Sequence, residues 1–277
     1  MQYLRFRSLW GVDDPLSAVM PRIKALGYIG VESPLPEANR SAEFKSLLAE
    51  NGLEYIALIF SGGANVREHL KTFQNEIERA KIFNPIVINT HSGRDSWNET
   101  ERREFFAGAL KIESDSGARI SHETHRGRIL YNPWVTRDVL REFPALNLCC
   151  DFSHWVCVAE RLLEDAEEEI ALAAAHCLHV HARVGYEEGP QVPDPRAAEY
   201  ERHLEAHERW WQMIWSAQAQ RGFKSTTITA EYGPPDYMHT LPHSRLPAAD
   251  LWEVCEWQAQ RQAEKFEEWR AYRGNLK

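Results

Sequence analysis

Residues 177–183 read Cys177-Leu178-His179-Val180-His181-Ala182-Arg183. In a strand, side chains two apart share a face, so His179, His181 and Arg183 fall on one side and Val180 and Ala182 on the other. Longer amphipathic segments flank this run, near 158–175 and 195–221. A short strand set between such segments is one strand-plus-crossover unit.

Outward from this stretch the same unit recurs. The strand candidates are Gln2–Trp10, Tyr28–Ser33, Glu54–Phe60, Pro85–His91, Arg119–His125, Leu146–Asp151, Cys177–Arg183 and Thr226–Tyr232. Between them lie helix candidates at Pro15–Leu26, Asn39–Asn51, Asn65–Phe83, Trp97–Glu113, Pro133–Phe143, Val158–Ala175, Pro195–Arg221 and Pro247–Tyr272. Strict alternation predicts parallel strands joined by helical crossovers. Eight pairs in 277 residues predict an α/β fold, a (β/α)8 TIM barrel forming a single domain over residues 1–277. No G-x-G-x-x-G follows the first strand, which weakens a dinucleotide-binding reading.

Composition sets the outer limits. Hydrophobic residues are 43% and charged residues 26%, enough apolar material for a full core. Lys plus Arg number 32 against 41 Asp plus Glu, a net charge of −9. Such a chain has no global attraction for a phosphate backbone, so nucleic acid is not expected as a partner. No run approaches the roughly 18 apolar residues of a membrane span. The start, Met1-Gln2-Tyr3-Leu4-Arg5-Phe6-Arg7, lacks a long apolar signal region. The five cysteines are odd in number and show no C-x-x-C, which reads as reduced thiols in a cytoplasmic protein.

The chemistry gathers at the C-terminal ends of the strand candidates, the face where barrel enzymes place their active sites. The fifth ends Ser121-His122-Glu123-Thr124-His125, and its alternation groups Ser121, Glu123 and His125. The sixth ends at Asp151, followed by Phe152-Ser153-His154, and the eighth groups Thr227, Thr229 and Glu231. Glu123, Asp151, His181 and Glu231 thus converge on one axis from four strands. Three buried carboxylates in one mouth need a cation among them. Three oxygens and one imidazole nitrogen suit a single divalent ion, Mn²⁺ first, with Mg²⁺, Co²⁺ or Zn²⁺ as alternatives.

Further mouth candidates are Glu32, His91, His125, His154 and Arg183, with Trp10 as a substrate wall. The other tryptophans, the Cys149-Cys150 pair and the Glu164–Glu169 run read as packing or solvated surface. The longest connection at a strand end is expected after the seventh strand, Val184–Asp194, as a candidate lid or substrate-binding loop.

Across nearly its whole length the chain resembles the xylose-isomerase-like superfamily of sugar isomerases and epimerases. The resemblance rests on Gly27-Tyr28-Ile29-Gly30-Val31-Glu32, Ser121-His122-Glu123, Asp151-Phe152-Ser153-His154, His179-Val180-His181 and the late strand ending at Glu231. It implies one divalent ion on Glu123, Asp151, His181 and Glu231, and substrate contacts by His154 and Arg183. Arg183 departs from the ketose 3-epimerase pattern, which places its substrate arginine further along that loop. The superfamily also holds apurinic endonucleases with three zinc ions. Here Asp194-Pro195-Arg196 stands where those carry Asp-x-His, and the third strand lacks their histidine.

The function expected is a metal-dependent isomerase or epimerase of a sugar or related hydroxy-ketone. Protons would move through a metal-stabilised enediolate between Glu123 and Glu231. The alternatives are a lyase or dehydratase acting on a keto-polyol or keto-glycoside, then an apurinic endonuclease or a non-catalytic binding protein. A small carbohydrate or polyol is the expected partner. The oligomeric state is open.

Overall fold

The computed structural model describes residues 1–274. Eight parallel strands close into a barrel in sequence order. They are β1 Gln2–Ser8, β2 Gly30–Pro34, β3 Glu54–Phe60, β4 Val87–His91, β5 Ile120–Glu123, β6 Leu148–Cys150, β7 Cys177–His181 and β8 Ser225–Thr229. Closure is the β1–β8 pairing, from Gln2 opposite Ser225 to Phe6 opposite Thr229.

The helices are α1 Leu16–Ala25, α2 Ser41–Asn51, α3 Val66–Lys81, α4 Glu99–Ser116, α5 Pro133–Glu142, α6 Ser153–Ala159, α7 Glu167–His176, α8 Glu201–Gln220 and α9 Leu251–Gly274. Their starts follow from local chemistry. Asn65 and Asn132 accept the N–H groups of Glu68 and Val135, and Asn98 with Glu101 forms a reciprocal capping box.

Strand alternation sorts the core into two layers. Val31, Tyr55, Ala57, Ile59, Ile88, Cys150, Val180 and Ile228 face outward into the large cluster beneath the helices. Phe6, Ile56, Val87 and Leu178 fill the lumen at its lower end. Gly30 belongs to this floor, because a Cβ there would lie 2.2 Å from the Glu54 carbonyl oxygen and 2.5 Å from the Phe6 ring.

Two expectations are corrected. The helix expected over 158–175 is two helices. α6 opens at Ser153, whose N–H is accepted by Asp151 Oδ1 at 3.1 Å, and it stops at Glu160 in the left-handed region, φ 53°. The longest strand-to-helix connection follows β8, residues 230–250, and not β7. It places Tyr237 against Trp10, with ring centroids 4.8 Å apart. Among the described residues no helix is long and apolar enough to cross a membrane.

Candidate active site

The inward positions at the C-terminal end of the barrel bring the expected residues together. His181 Nδ1 lies 3.2 Å from Glu231 Oε2, 3.6 Å from Glu123 Oε1 and 3.9 Å from Asp151 Oδ2. Potential ligand atoms from these four residues all fall within 4.8 Å of one another, and all four residues are buried. Bonds of about 2.0–2.2 Å to one ion span such a group.

The tautomer of His181 follows from its neighbour. Its Nε2 faces Glu32 Oε1 at 2.9 Å, so that nitrogen keeps its proton and Nδ1 is the nitrogen that can exchange a proton for an ion. The other Glu32 oxygen takes His179 Nε2 at 3.0 Å and the Thr229 hydroxyl. Glu32 therefore orients His181 from below while also bordering the cavity.

Glu123 Oε1 and His181 Nδ1 are among the buried atoms that have no hydrogen-bond partner. A buried orphan costs about 1–3 kcal/mol, and here both orphans aim into the same space. The donor set and these orphans fit a divalent cation.

The field in the mouth agrees. Burial alone would strip a proton from His181, but Cys149, Glu231, Glu32 and Glu123 around it reverse that and push it well above the ordinary histidine range. A field that holds a proton there would also attract a dication. Burial raises the Glu123 carboxyl, yet His91 and His181 outweigh it and hold it well below the usual range. Asp151 goes the other way, up to about 6, because burial exceeds the pull of Arg183 and His181.

Arg183 ties the site together. Its Nη2 donates to Asp151 Oδ2 and to His154 Nε2 (2.8 Å), its Nε donates to Ser153 Oγ (3.2 Å), and its Nη1 lies 3.3 Å from Glu231 Oε2. On the other flank, Glu123 Oε2 accepts Asn89 Nδ2 at 2.7 Å and meets His91 Nε2 at 3.1 Å.

A cavity of about 200 Å³ opens over these groups. Of the expected substrate contacts, Trp10, Glu32, His91, His125 and Arg183 line it. His154 does not; it is fully buried, with its ring against that of His125, centroids 3.8 Å apart and tilted by 46°. Burial holds both His125 and His154 well below the ordinary range, so both are neutral.

Sequence reasoning missed Ser8, Leu58, Phe60 and Asn89, which strand alternation on β1, β3 and β4 would have placed inward. Tyr237 carried no such signal. Two other groupings, Cys149–His179–His181 and His91–Glu123–His125, each borrow a member of the main four. In the second, the His91 and His125 ring centroids lie 4.2 Å apart with the rings tilted by 36°.

Comparison with known proteins agrees with this fold. Residues 20–253 match the model of the xylose isomerase-like TIM barrel family. The chain belongs to that family.

Solved structures share its fold at low identity. A sugar phosphate isomerase/epimerase from Parabacteroides distasonis is 11% identical over 95% of this chain and 93% of its own, with a TM-score of 0.61. The probable 3-DHS dehydratase AsbF from Bacillus anthracis is 13% identical over 94% and 98%, with a TM-score of 0.59. Endonuclease IV from Thermus thermophilus is 14% identical over 97% and 100%, with a TM-score of 0.56. No curated protein sequence matches the chain. At these identities the likeness carries the architecture, and the chemistry must come from the site itself.

Proposed function

We propose that this family member is a divalent-metal-dependent isomerase or epimerase of a sugar or related hydroxy-ketone. The observation that carries the reading is the convergence of Glu123 and Glu231 on His181 Nδ1, at 3.6 and 3.2 Å, beside a cavity that both carboxylates line. Glu123, Asp151, His181 and Glu231 would hold the ion, Mn²⁺ first. When bound, it supplies Lewis-acid polarisation of a carbonyl and offsets developing negative charge.

The chain's own residues do the rest. One of Glu123 and Glu231 takes the proton from the carbon next to the carbonyl, and the other returns a proton. Return to the opposite face gives an epimer, and return to the neighbouring carbon gives an isomer. His91 and His125 face the cavity and can bond substrate hydroxyls. Arg183 keeps Asp151 and Glu231 in register.

Asp194 supports a non-endonuclease reading. Both its carboxylate oxygens are held by the Arg196 guanidinium, at 2.8 and 2.7 Å, instead of being free for a further ion. We read the protein as a cytoplasmic enzyme with a small-molecule substrate and no nucleic-acid partner.

The test is proton exchange followed by NMR in D₂O, with Mn²⁺-loaded protein and a panel of hydroxy-ketones. Deuterium should enter at the carbon next to the carbonyl together with an epimer or isomer, and Glu123→Gln and Glu231→Gln should both abolish it. Release of water from the substrate instead would make the protein a dehydratase. Absence of exchange with every ketone, or nicking of abasic DNA, would sink the proposal.

A further inference from the structure

Residues 239–249 read His239-Thr240-Leu241-Pro242-His243-Ser244-Arg245-Leu246-Pro247-Ala248-Ala249. This part of the connection after β8 holds one arginine, two histidines and no acid, in a chain of net charge −9. It forms a short hairpin arm. Ala248 N–H donates to the His239 carbonyl at 2.8 Å, Leu241 N–H to the Leu246 carbonyl at 2.8 Å, and Arg245 N–H to the Leu241 carbonyl at 3.0 Å. The backbone is thus held in shape, yet nothing covers its apolar side chains. Leu241 is 52% exposed and Leu246 60%. Two large apolar side chains side by side in water on one protruding hairpin mark a contact surface.

On the same C-terminal face of the barrel, a groove of about 500 Å³ runs between the connections that follow β1 and β2. Leu9, Val12 and Phe44 give it an apolar lining, and Asp13, Asp14 and Glu37 stand exposed at its rim. Arg40, also at this rim, is paired with Glu43 at 3.3 Å, and among the described residues the other three carboxylates make no ion pair.

Arm and groove match in chemistry: two leucines beside an arginine on one, an apolar lining beneath an acidic rim on the other. The arm does not fill its own groove, as the exposure of both leucines shows. Its base is tied to the opposite side, toward the connection after β7, where the Tyr186 hydroxyl meets His239 Nε2 at 3.1 Å. Because arm and groove share one face of the barrel, two molecules facing each other across a two-fold axis can exchange arms, and both contacts then form at once.

We propose that the chain forms a two-fold dimer in which each arm, residues 239–249, seats Leu241 and Leu246 in the groove of a second copy and sets Arg245 against that groove's acidic rim. Ser33 and Pro34 line both this groove and the active-site cavity, so the seated arm bears on the outer side of the cavity wall directly after Glu32. The dimer is independent of the reaction at the mouth. It stands if no proton exchange is found, and the proton-transfer reading stands if the protein is a monomer.

Sedimentation velocity of the full-length protein, at loadings from about 1 to about 100 µM, tests the proposal. A dimer should form within this range. Leu241→Asp and, separately, Leu246→Asp should each raise its dissociation constant by at least about tenfold, since each puts a charge where a leucine is buried. Both side chains are exposed in the single molecule, so neither substitution threatens the fold. Charge reversal identifies the receiving surface. Arg245→Glu should weaken the dimer about tenfold, and adding Asp13→Lys and Asp14→Lys to the same chain should restore it. A monomer at every loading, a dimer that both leucine variants leave unchanged, or a loss at Arg245 that the second reversal does not rescue would overturn the proposal.

Discussion

At its lower end the lumen is filled by Phe6, Ile56, Val87 and Leu178, with Gly30 leaving room for the phenyl ring. One or two pleats further along the same strands it holds Ser8, Glu32, Asn89, His91 and His181, joined by Glu123, Asp151 and Glu231. The floor follows the rule of close packing and holds the barrel shut. The mouth breaks the rule that buried charge is avoided, and groups three carboxylates around His181 Nδ1 with a fourth, Glu32, on Nε2. A few ångströms of strand length thus separate residues that stabilise the fold from residues that strain it, so substitutions in the two regions should fail in different ways.

The largest separation is expected at Glu231. Glu231→Gln should lower proton exchange by about 10²–10⁴-fold, the usual weight of a positioned general base. Its urea midpoint should hold or rise, since one of four clustered carboxylates is gone. A fall in stability matching the fall in exchange would erase the distinction between the regions.

The floor should behave in the opposite sense. Ile56→Ala leaves a hole among Phe6, Val87 and Leu178 and should cost about 2–5 kcal/mol in urea unfolding. Its Mn²⁺ affinity, measured where the variant is folded, should match that of the parent.

Glu32 sits between the two regions. Glu32→Gln should weaken Mn²⁺ binding about 10–100-fold in a chelator competition, by loosening the tautomer and orientation of His181. No change would show that His181 needs no support from below.

A last test sharpens the comparison from outside the lumen. His207 on α8 accepts the Gly185 N–H at 3.3 Å and donates to the His203 carbonyl at 2.8 Å, and burial pulls its pKa down to about 3. The folded chain keeps it neutral while the unfolded chain protonates it near 6.5. Its contribution is therefore whole above pH 6.5 and is lost as pH falls toward 3, at up to about 1.4 kcal/mol per pH unit. His207→Gln should flatten that part of the stability profile. An unchanged slope would assign the acid sensitivity to the mouth instead.

How legible each region was depends on the distance over which its cause acts. The inward set on β7 could be read from alternation alone, and so could Glu123 on β5 and Glu231 beyond β8. The same rule covers Leu58, Phe60 and Asn89, but none of these side chains titrates, so nothing in the sequence marks them as part of a site. The break between α6 and α7 was hidden, because it turns on Glu160 and Leu163 in left-handed conformations that neither residue favours by itself. Tyr237 was hidden more deeply, since a long connection has no period to read.

The sequence by itself determined the eight alternating units, the inward parity of the polar strand ends and the excess of acid at one mouth. Those are local properties, set by spacing along the chain and by the types of neighbouring residues. Tertiary structure alone decided that Glu32 grips both His179 and His181, that Arg183 spends its charge on Asp151 and Glu231, and that Tyr237 folds over against Trp10. Each of these joins residues far apart in the chain. The choice among competing partners is made only when closure of the barrel fixes which groups come within a few ångströms of one another.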